Sequence, residues 1–251
     1  MDYFDKAETW DRATLETVQL ARLKTTIQQA SRAPFYAKRL AEAGVSADNL
    51  RSLEDIRRIP FTSKDDLRSQ YPYGLATVPH SEFVRMHCSS GTTGTPVAVC
   101  YTQSDINSWA DLMARSLYMA GVRKDDVFQN MSGYGLFTGG LGIHFGAERL
   151  GWMTIPAGAG NSKRQLKLVK DFGTTVAHIL PSYALHLGTT LIEEGEDPKA
   201  LSLRIACVGA EPYTEETRRR IEALFDMKVY NSYGLSEMNG PGVAFECQYQ
   251  N

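Results

Sequence analysis

From Phe83 onward, short apolar runs alternate with stretches of helical period, and this alternation limits the possible folds more than any other feature of the chain. The runs "EFVRMH", "PVAVCYT", "DVFQNMS", "GWMTIPA", "TTVAHIL", "LRIACVGA" and "MKVYNSY" are predicted strands. The intervening "SDINSWADLMARSLYMAG", "GGLGIHFGAERLG", "SKRQLKLVKDFG", "SYALHLGTTLIEEG" and "TEETRRRIEALFD" are predicted helices. Ser162 with Gln165 reads as a capping box, and Gly121, Gly151 and Gly173 stand where helices end on glycine. Strand and helix in regular exchange predict an α/β fold with a mainly parallel sheet flanked by helices.

The chain before this point has a different character. Residues 9–75 are polar and helical in pattern, with Leu15, Val18, Leu23 and Ile27 near one face of an amphipathic helix. Pro34, Pro60 and Pro72 end or precede short helices, and Thr62 or Ser63 can cap one. The boundary is placed near residue 80: a helical segment, 1–80, packed on an α/β core, 81–251, that binds the ligands.

Composition excludes several functions. Net charge is −2 and the Lys and Arg residues are scattered, so neither nucleic acid nor an anionic membrane is an expected partner. The N-terminus lacks an apolar leader and no run nears the ~18 apolar residues of a membrane span, so a cytoplasmic address is expected. The four cysteines form no CxxC pair and read as reduced thiols. The five histidines have no metal-ligand spacing and read as core or surface residues.

Ligands of parallel sheets bind beyond the carboxyl ends of the strands, which directs attention to loops 88–96, 131–142, 156–162, 209–214 and 231–242. In "HCSSGTTGTPVAV", Ser89, Ser90, Thr92, Thr93 and Thr95 offer hydroxyls, while Gly91 and Gly94 let the backbone curl its amides toward one anion. This reads as a phosphate cradle, with a flexible polar loop as the plain alternative. It is not a Walker A loop, because no lysine follows the second glycine. "NSYGLSEMNGPGVAFEC" brings a tyrosine, a glycine turn, Ser236 and Glu237 together, a composition suited to an aromatic base, a phosphate oxygen and a hard cation, or simply to a turn with an exposed Ser-Glu pair. In "VGAEPYT", Gly209 and Ala210 can lie against a flat ring, and Glu211 is either a hydrogen-bond partner or a first-turn carboxylate of the next helix. "MSGYGLFTGGLGIHFG" is either an aromatic slot or a glycine-rich helix start.

With these residues in view, the chain resembles the phenylacetate-CoA ligase branch of the adenylate-forming enzymes, through "YPYGL", "SSGTTGTP", "GYGLFTGGLGIHFGAERLG", "VGAEPYT" and "YGLSEMNGPGVAFEC". The resemblance implies the large N-terminal domain of such enzymes. It further implies an acid-thiol ligase that activates phenylacetate or a related aryl acid with ATP and Mg2+, through an acyl adenylate, to the coenzyme A thioester. By that resemblance Ser89 to Thr95 (Ser90, Gly91, Thr92, Thr93 and Gly94 among them) hold the β- and γ-phosphates of ATP. Gly209, Ala210, Glu211 and Pro212 line the adenine site, with Tyr233 and Gly234 near the base. Ser236 touches the α-phosphate and Glu237 ligates Mg2+; Tyr134, Phe137 and Gly140, with Pro241 and Gly242 opposite, frame the acid.

Family members continue past the position of Asn251 into a small lid domain that supplies a lysine, so the sequence reads as the front part of such an enzyme. Three alternatives stand beside this reading. They are a non-catalytic nucleotide-binding module, a ligase for a substituted benzoate with a carrier-protein thiol as acceptor, and a structural zinc site using Cys247. The expected partner is a small aryl acid, and a homodimer is the assembly considered.

Overall fold

The computed structural model describes residues 3–89 and 95–250, and the chain divides into two compact units, 1–103 and 104–251. The first unit holds α1 (Arg12–Ala30), α2 (Pro34–Glu42) and α3 (Lys64–Ser69), followed by β1 (Phe83–Cys88) and β2 (Ala98–Thr102). Asp11 caps α1 by accepting from Thr14 N at 2.7 Å, Pro34 occupies the first turn of α2, and Ser63 rather than Thr62 caps α3. Of the predicted stripe on α1, Leu23 and Ile27 pack with Leu40, Val45 and Leu50, while Leu15 and Val18 are half-buried. β1 and β2 pair antiparallel, because the segment Ser89–Val97 is far too short for the crossover that parallel strands require. This hairpin belongs to the first unit, so the compact units divide at Gln103 and Ser104, whereas the change in sequence character falls near residue 80.

The second unit follows α4 (Gln103–Met119) with β3 (Val127–Asn130), α5 (Thr138–Arg149), β4 (Met153–Ile155), α6 (Ser162–Phe172) and β5 (Val176–Ile179). Then come α7 (Pro181–Glu193), β6 (Ile205–Gly209), α8 (Glu215–Phe225), β7 (Lys228–Leu235) and β8 (Gly240–Phe245). The sheet order is β4-β3-β5-β6-β7-β8, with all neighbours parallel except the β7–β8 hairpin. The chain steps from β3 outward to β4 and returns to the other side of β3, so the order reverses between β3 and β5. β5 and β6 are buried throughout, as central parallel strands covered on both faces should be. Among the described residues no helix is long and apolar enough to cross a membrane.

One local expectation is corrected. Asn161, not Ser162, caps α6: at φ 55° it occupies the left-handed region that asparagine tolerates, and its side chain accepts from Arg164 N at 3.1 Å. Ser162 is the first helical residue. Gln165 is buried and works elsewhere, accepting from Gln129 Nε2 at 2.7 Å and donating to the Gly158 and Gly160 carbonyls. Gly121, Gly151 and Gly173 do end helices at positive φ, 90°, 78° and 61°.

The N-terminal edge of the sheet is tied by charge. Asp126, just before β3, accepts from Arg204 Nε at 2.7 Å, Thr175 Oγ1 at 2.7 Å and Arg123 N at 2.6 Å. Burial pushes the Asp126 carboxyl up, but the hydrogen bonds from Arg204, Arg123 and Thr175 outweigh it and the net shift is downward. At the far side, Arg218 of α8 grips Glu246 with two bonds of 2.6 and 2.7 Å, holding the segment after β8 against β7.

Candidate functional site

The reversal of strand order between β3 and β5 is where a doubly wound sheet opens a crevice at its carboxyl ends. A pocket of about 50 Å³ lies there, lined by Phe137, Thr138 and Gly139 from the start of α5, His178 from β5, Gly209 and Ala210 at the end of β6, and residues of β7 and β8 including Ser232, Gly234 and Pro241. Each wall has a sequence cause. Gly209 is needed because a Cβ there would sit 2.3 Å from the Ser232 carbonyl oxygen of β7. Ala210 has φ 67°, a left-handed conformation that costs an alanine about 1–2 kcal/mol. Strain of this kind persists only where the surroundings impose it. Glu211 supplies that restraint: its carboxylate accepts from Ser182 N at 2.6 Å and Ser182 Oγ at 3.1 Å, at the N-terminus of α7 where negative charge is favoured. Glu211 is thus tied to the start of α7 and lies outside the first turn of the helix that follows it, a contact the sequence does not predict.

A chain of polar groups runs behind the pocket. The Asn130 Nδ2 donates to the Gly140 carbonyl at 2.7 Å and to Tyr134 OH at 2.9 Å, which fixes Oδ1 as the atom facing His178 Nδ1 at 3.0 Å. A carbonyl oxygen can only accept, so Nδ1 of His178 carries the proton and Nε2 the lone pair. Ser132 Oγ also lies 2.9 Å from Nδ1. Tyr134 OH also lies 3.1 Å from His144 Nδ1, and His144 Nε2 faces Glu148 at 3.0 Å. Burial holds the His178 imidazole down at about 4, so it is neutral at physiological pH, and burial pushes the Tyr134 phenol up to about 12.

The residues read from the sequence are thus partly assembled. Phe137, Gly209, Ala210, Gly234 and Pro241 converge on the pocket. Tyr134 and Gly140 stand behind it: Tyr134 is held by Asn130 and His144, and a Cβ on Gly140 would lie 2.3 Å from the Gly133 carbonyl oxygen. Gly242, at φ 94°, lies against Met113. Pro212 and Tyr233 are exposed. Ser236 and Glu237 occupy a single 3-10 turn between β7 and β8, Ser236 buried and Glu237 half-buried. Ser89 stands at the neck of the β1–β2 loop, where its Oγ accepts from Val97 N at 2.9 Å, and Thr95 is exposed. Ser90, Gly91, Thr92, Thr93 and Gly94 lie outside the described residues.

Sequence reasoning missed His178, Asn130, Ser132, Thr138 and Ser232. A signal existed for His178: it is the one titratable residue in an otherwise apolar strand, "VAHIL". Among the described residues no group of three His, Cys, Asp or Glu side chains could hold a metal ion, and Cys88, Cys100, Cys207 and Cys247 form no disulfide.

A doubly wound sheet with a glycine-walled pocket at its switch point is the arrangement in which open α/β sheets take ligands across their carboxyl edge. Comparison with known proteins is specific: the model of the AMP-binding enzyme family matches residues 13–250, and the chain belongs to that family. It is 48% identical over 97% of its length to a phenylacetate-coenzyme A ligase of Pseudomonas putida, and 45% identical over 97% to one of Escherichia coli strain K12. It spans 56% of the length of each. A crystal structure of 2-hydroxyisobutyryl-CoA ligase in complex with 2-HIB-AMP and CoA matches all of the chain and 57% of that protein, at 30% identity and a TM-score of 0.90.

Proposed function

We propose that this site takes part in the ATP-dependent activation of phenylacetate, or a related aryl acid, to an acyl adenylate that coenzyme A then converts to a thioester. The observation that carries the reading is the single pocket in which Phe137 and Pro241, expected to frame the acid, meet Gly209, Ala210 and Gly234, expected to border the nucleotide. The names of the relatives and the adenylate in the similar crystal structure support it.

In the first step a carboxylate oxygen of the acid bonds to the α-phosphorus of ATP, the bond from that phosphorus to the bridging oxygen breaks, and pyrophosphate leaves with the electron pair. Both reactants are anions, so the protein acts by positioning and by offering donors rather than by forming a covalent intermediate. Phe137 and Pro241 hold the acid's ring. The bare backbone at Gly209 and Ala210 lets the nucleotide approach, and Ser236 reaches the α-phosphate. The hydroxyl loop from Ser89 to Thr95 takes the outer phosphates. In the second step the coenzyme A thiol gives up its proton to solvent, its sulfur bonds to the acyl carbon, the bond from that carbon to the phosphate oxygen breaks, and AMP leaves with the electron pair.

Magnesium fits as an ion shared between protein and substrate. Glu237, half-buried in the turn between β7 and β8, offers the hard oxygen donor that such a metal takes, the rest of its shell being phosphate oxygens and water. Bound there, it would neutralise phosphate charge. A cytoplasmic location and a homodimeric assembly belong to the same proposal.

Calorimetric titration of the protein with phenylacetate in the presence of Mg-ATP tests the reading. Binding is expected, and Phe137→Ala should weaken it about tenfold through lost ring contact. Absence of binding by any aryl acid, with or without ATP, would remove the proposal.

A further inference from the structure

His178 is the only titratable side chain lining the pocket among the described residues, and the surrounding bonds decide its chemistry. Its Nδ1 proton is committed to Asn130 Oδ1, whose own orientation is set by the bonds from Asn130 Nδ2 to Gly140 O and Tyr134 OH, and by Ser132 N donating to the same Oδ1 at 3.1 Å. Moving the proton to Nε2, so as to present an N–H to the pocket, would set an Nδ1 lone pair against the Asn130 carbonyl oxygen, a repulsion that remains even with Ser132 Oγ 2.9 Å away as a donor. The tautomer is therefore locked from behind. Nε2 has no hydrogen-bond partner among the described residues and is the one polar atom of the ring left for a ligand. The other polar side chains of the pocket, Thr138 and Ser232, are hydroxyls that can donate or accept and so tolerate either kind of partner. A neutral imidazole with a fixed lone pair does not: it can only accept.

We propose that His178 is a specificity-determining residue, and that its Nε2 accepts a hydrogen bond from a hydroxyl or amino group carried by the acid, so that the pocket favours donor-bearing aryl acids over their unsubstituted counterparts. The inference rests on the aryl-acid reading of the pocket given above. Its physical basis is asymmetric. A ligand with a donor in the right place satisfies a buried acceptor, whereas an apolar ring in the same place strips water from Nε2 and returns nothing. A methoxy group, of similar polarity but without a proton to give, is disfavoured with the apolar ring.

The test is a matched series: phenylacetate, the three hydroxyphenylacetates and the three methoxyphenylacetates, titrated into the protein with Mg-ATP. One hydroxyphenylacetate should bind about tenfold or more tightly than phenylacetate and than its own methoxy counterpart. His178→Leu should bring the hydroxy-to-unsubstituted ratio down toward one. If phenylacetate binds as tightly as every hydroxylated acid, or if the preference persists in a folded His178→Leu protein, the role of His178 is refuted while the aryl-acid reading stands. If no member of the series binds, the aryl-acid reading falls and this inference with it. Should His178→Leu fail to fold, the hydroxy-to-methoxy comparison in the unaltered protein decides alone.

Discussion

Asp126, Thr175 and Arg204 stand one residue before β3, β5 and β6, and Asn130, His178 and Gly209 stand at or near the other ends of the same three strands. At the first edge every polar group named is paired: a carboxylate 5% exposed takes bonds from a guanidinium, a hydroxyl and an amide, and the backbone ladder continues through Arg204 N to Thr175 O at 2.8 Å. At the second edge an alanine is held in the left-handed region, a glycine is forced by a facing carbonyl, and an imidazole keeps a lone pair unused. The contrast assigns work to each edge. One holds three strands in register, and the other is kept short of its own optimum so that a ligand can complete it.

The largest effect should come from breaking the closed edge. Asp126→Ala removes the acceptor for Arg204, Thr175 and Arg123 together, and should lower stability by about 3 kcal/mol, the upper end for hydrogen bonds to a charged group, since Arg204 is half exposed and keeps water when its partner goes. Urea denaturation monitored by far-UV circular dichroism measures it. Ligand affinity in the folded variant should stay close to that of the original protein. A large loss of affinity would mean that the two edges are not separable and that the comparison fails.

The edges should also part on acidification. His178 sits at about 4 in the folded protein against 6.5 when exposed, so the unfolded chain binds more protons between these values and the neutral form stabilises the fold above them. That contribution is complete above pH 6.5 and is lost as pH falls toward 4, about 3 kcal/mol in all at about 1.4 kcal/mol per unit. Asp126 and Glu246 have folded values depressed below 3.8 and 4.5 respectively, so their contributions are complete above those values and are lost chiefly at lower pH, after most of the histidine stage. Stability measured by denaturation at intervals from pH 7 to 3 should fall in two stages, and His178→Leu should erase the upper one. A single stage beginning below pH 4 would show that the imidazole is not held neutral.

The legibility of these features in the sequence follows from the range of the forces that create them. Strands β1 to β7 and helices α4 to α8 were readable because local periodicity and end signals fix them. Gly209 and Ala210 stand out in the sequence as bare backbone for a flat ring, but neither the facing Ser232 carbonyl nor the left-handed Ala210 is legible there, and the stretch around Phe137, open between an aromatic slot and a helix start, is the start of α5. The antiparallel pairing of β1 with β2 follows from the length of their connection. What could not be read depends on strand order. Asn130 meets His178 only because β3 pairs with β5 rather than with its sequence neighbour β4 alone, bringing together residues from separate βα units. Glu211 meets Ser182 for the same reason, through the adjacency of β5 and β6. The cap of α6 was misplaced by one residue because a left-handed asparagine and a serine at neighbouring positions carry the same signal.

The smallest predicted effect is the sharpest test of strain at the open edge. In a relaxed helix interior, Ala→Gly costs about 1 kcal/mol because glycine loses more backbone freedom on folding. At Ala210 the same entropic loss is opposed by release of the left-handed penalty, which is of similar size, so Ala210→Gly should change stability by no more than about 0.5 kcal/mol. Ala210 is exposed, so no cavity confuses the measurement. Its effect on binding should have the opposite character: a loop no longer confined by the alanine's restricted backbone must be ordered by the ligand, and affinity should fall a few-fold. Denaturation and titration on the one variant measure both terms. A loss near 1 kcal/mol would place Ala210 in an ordinary conformation in solution, and the open edge would then be no more strained than the closed one.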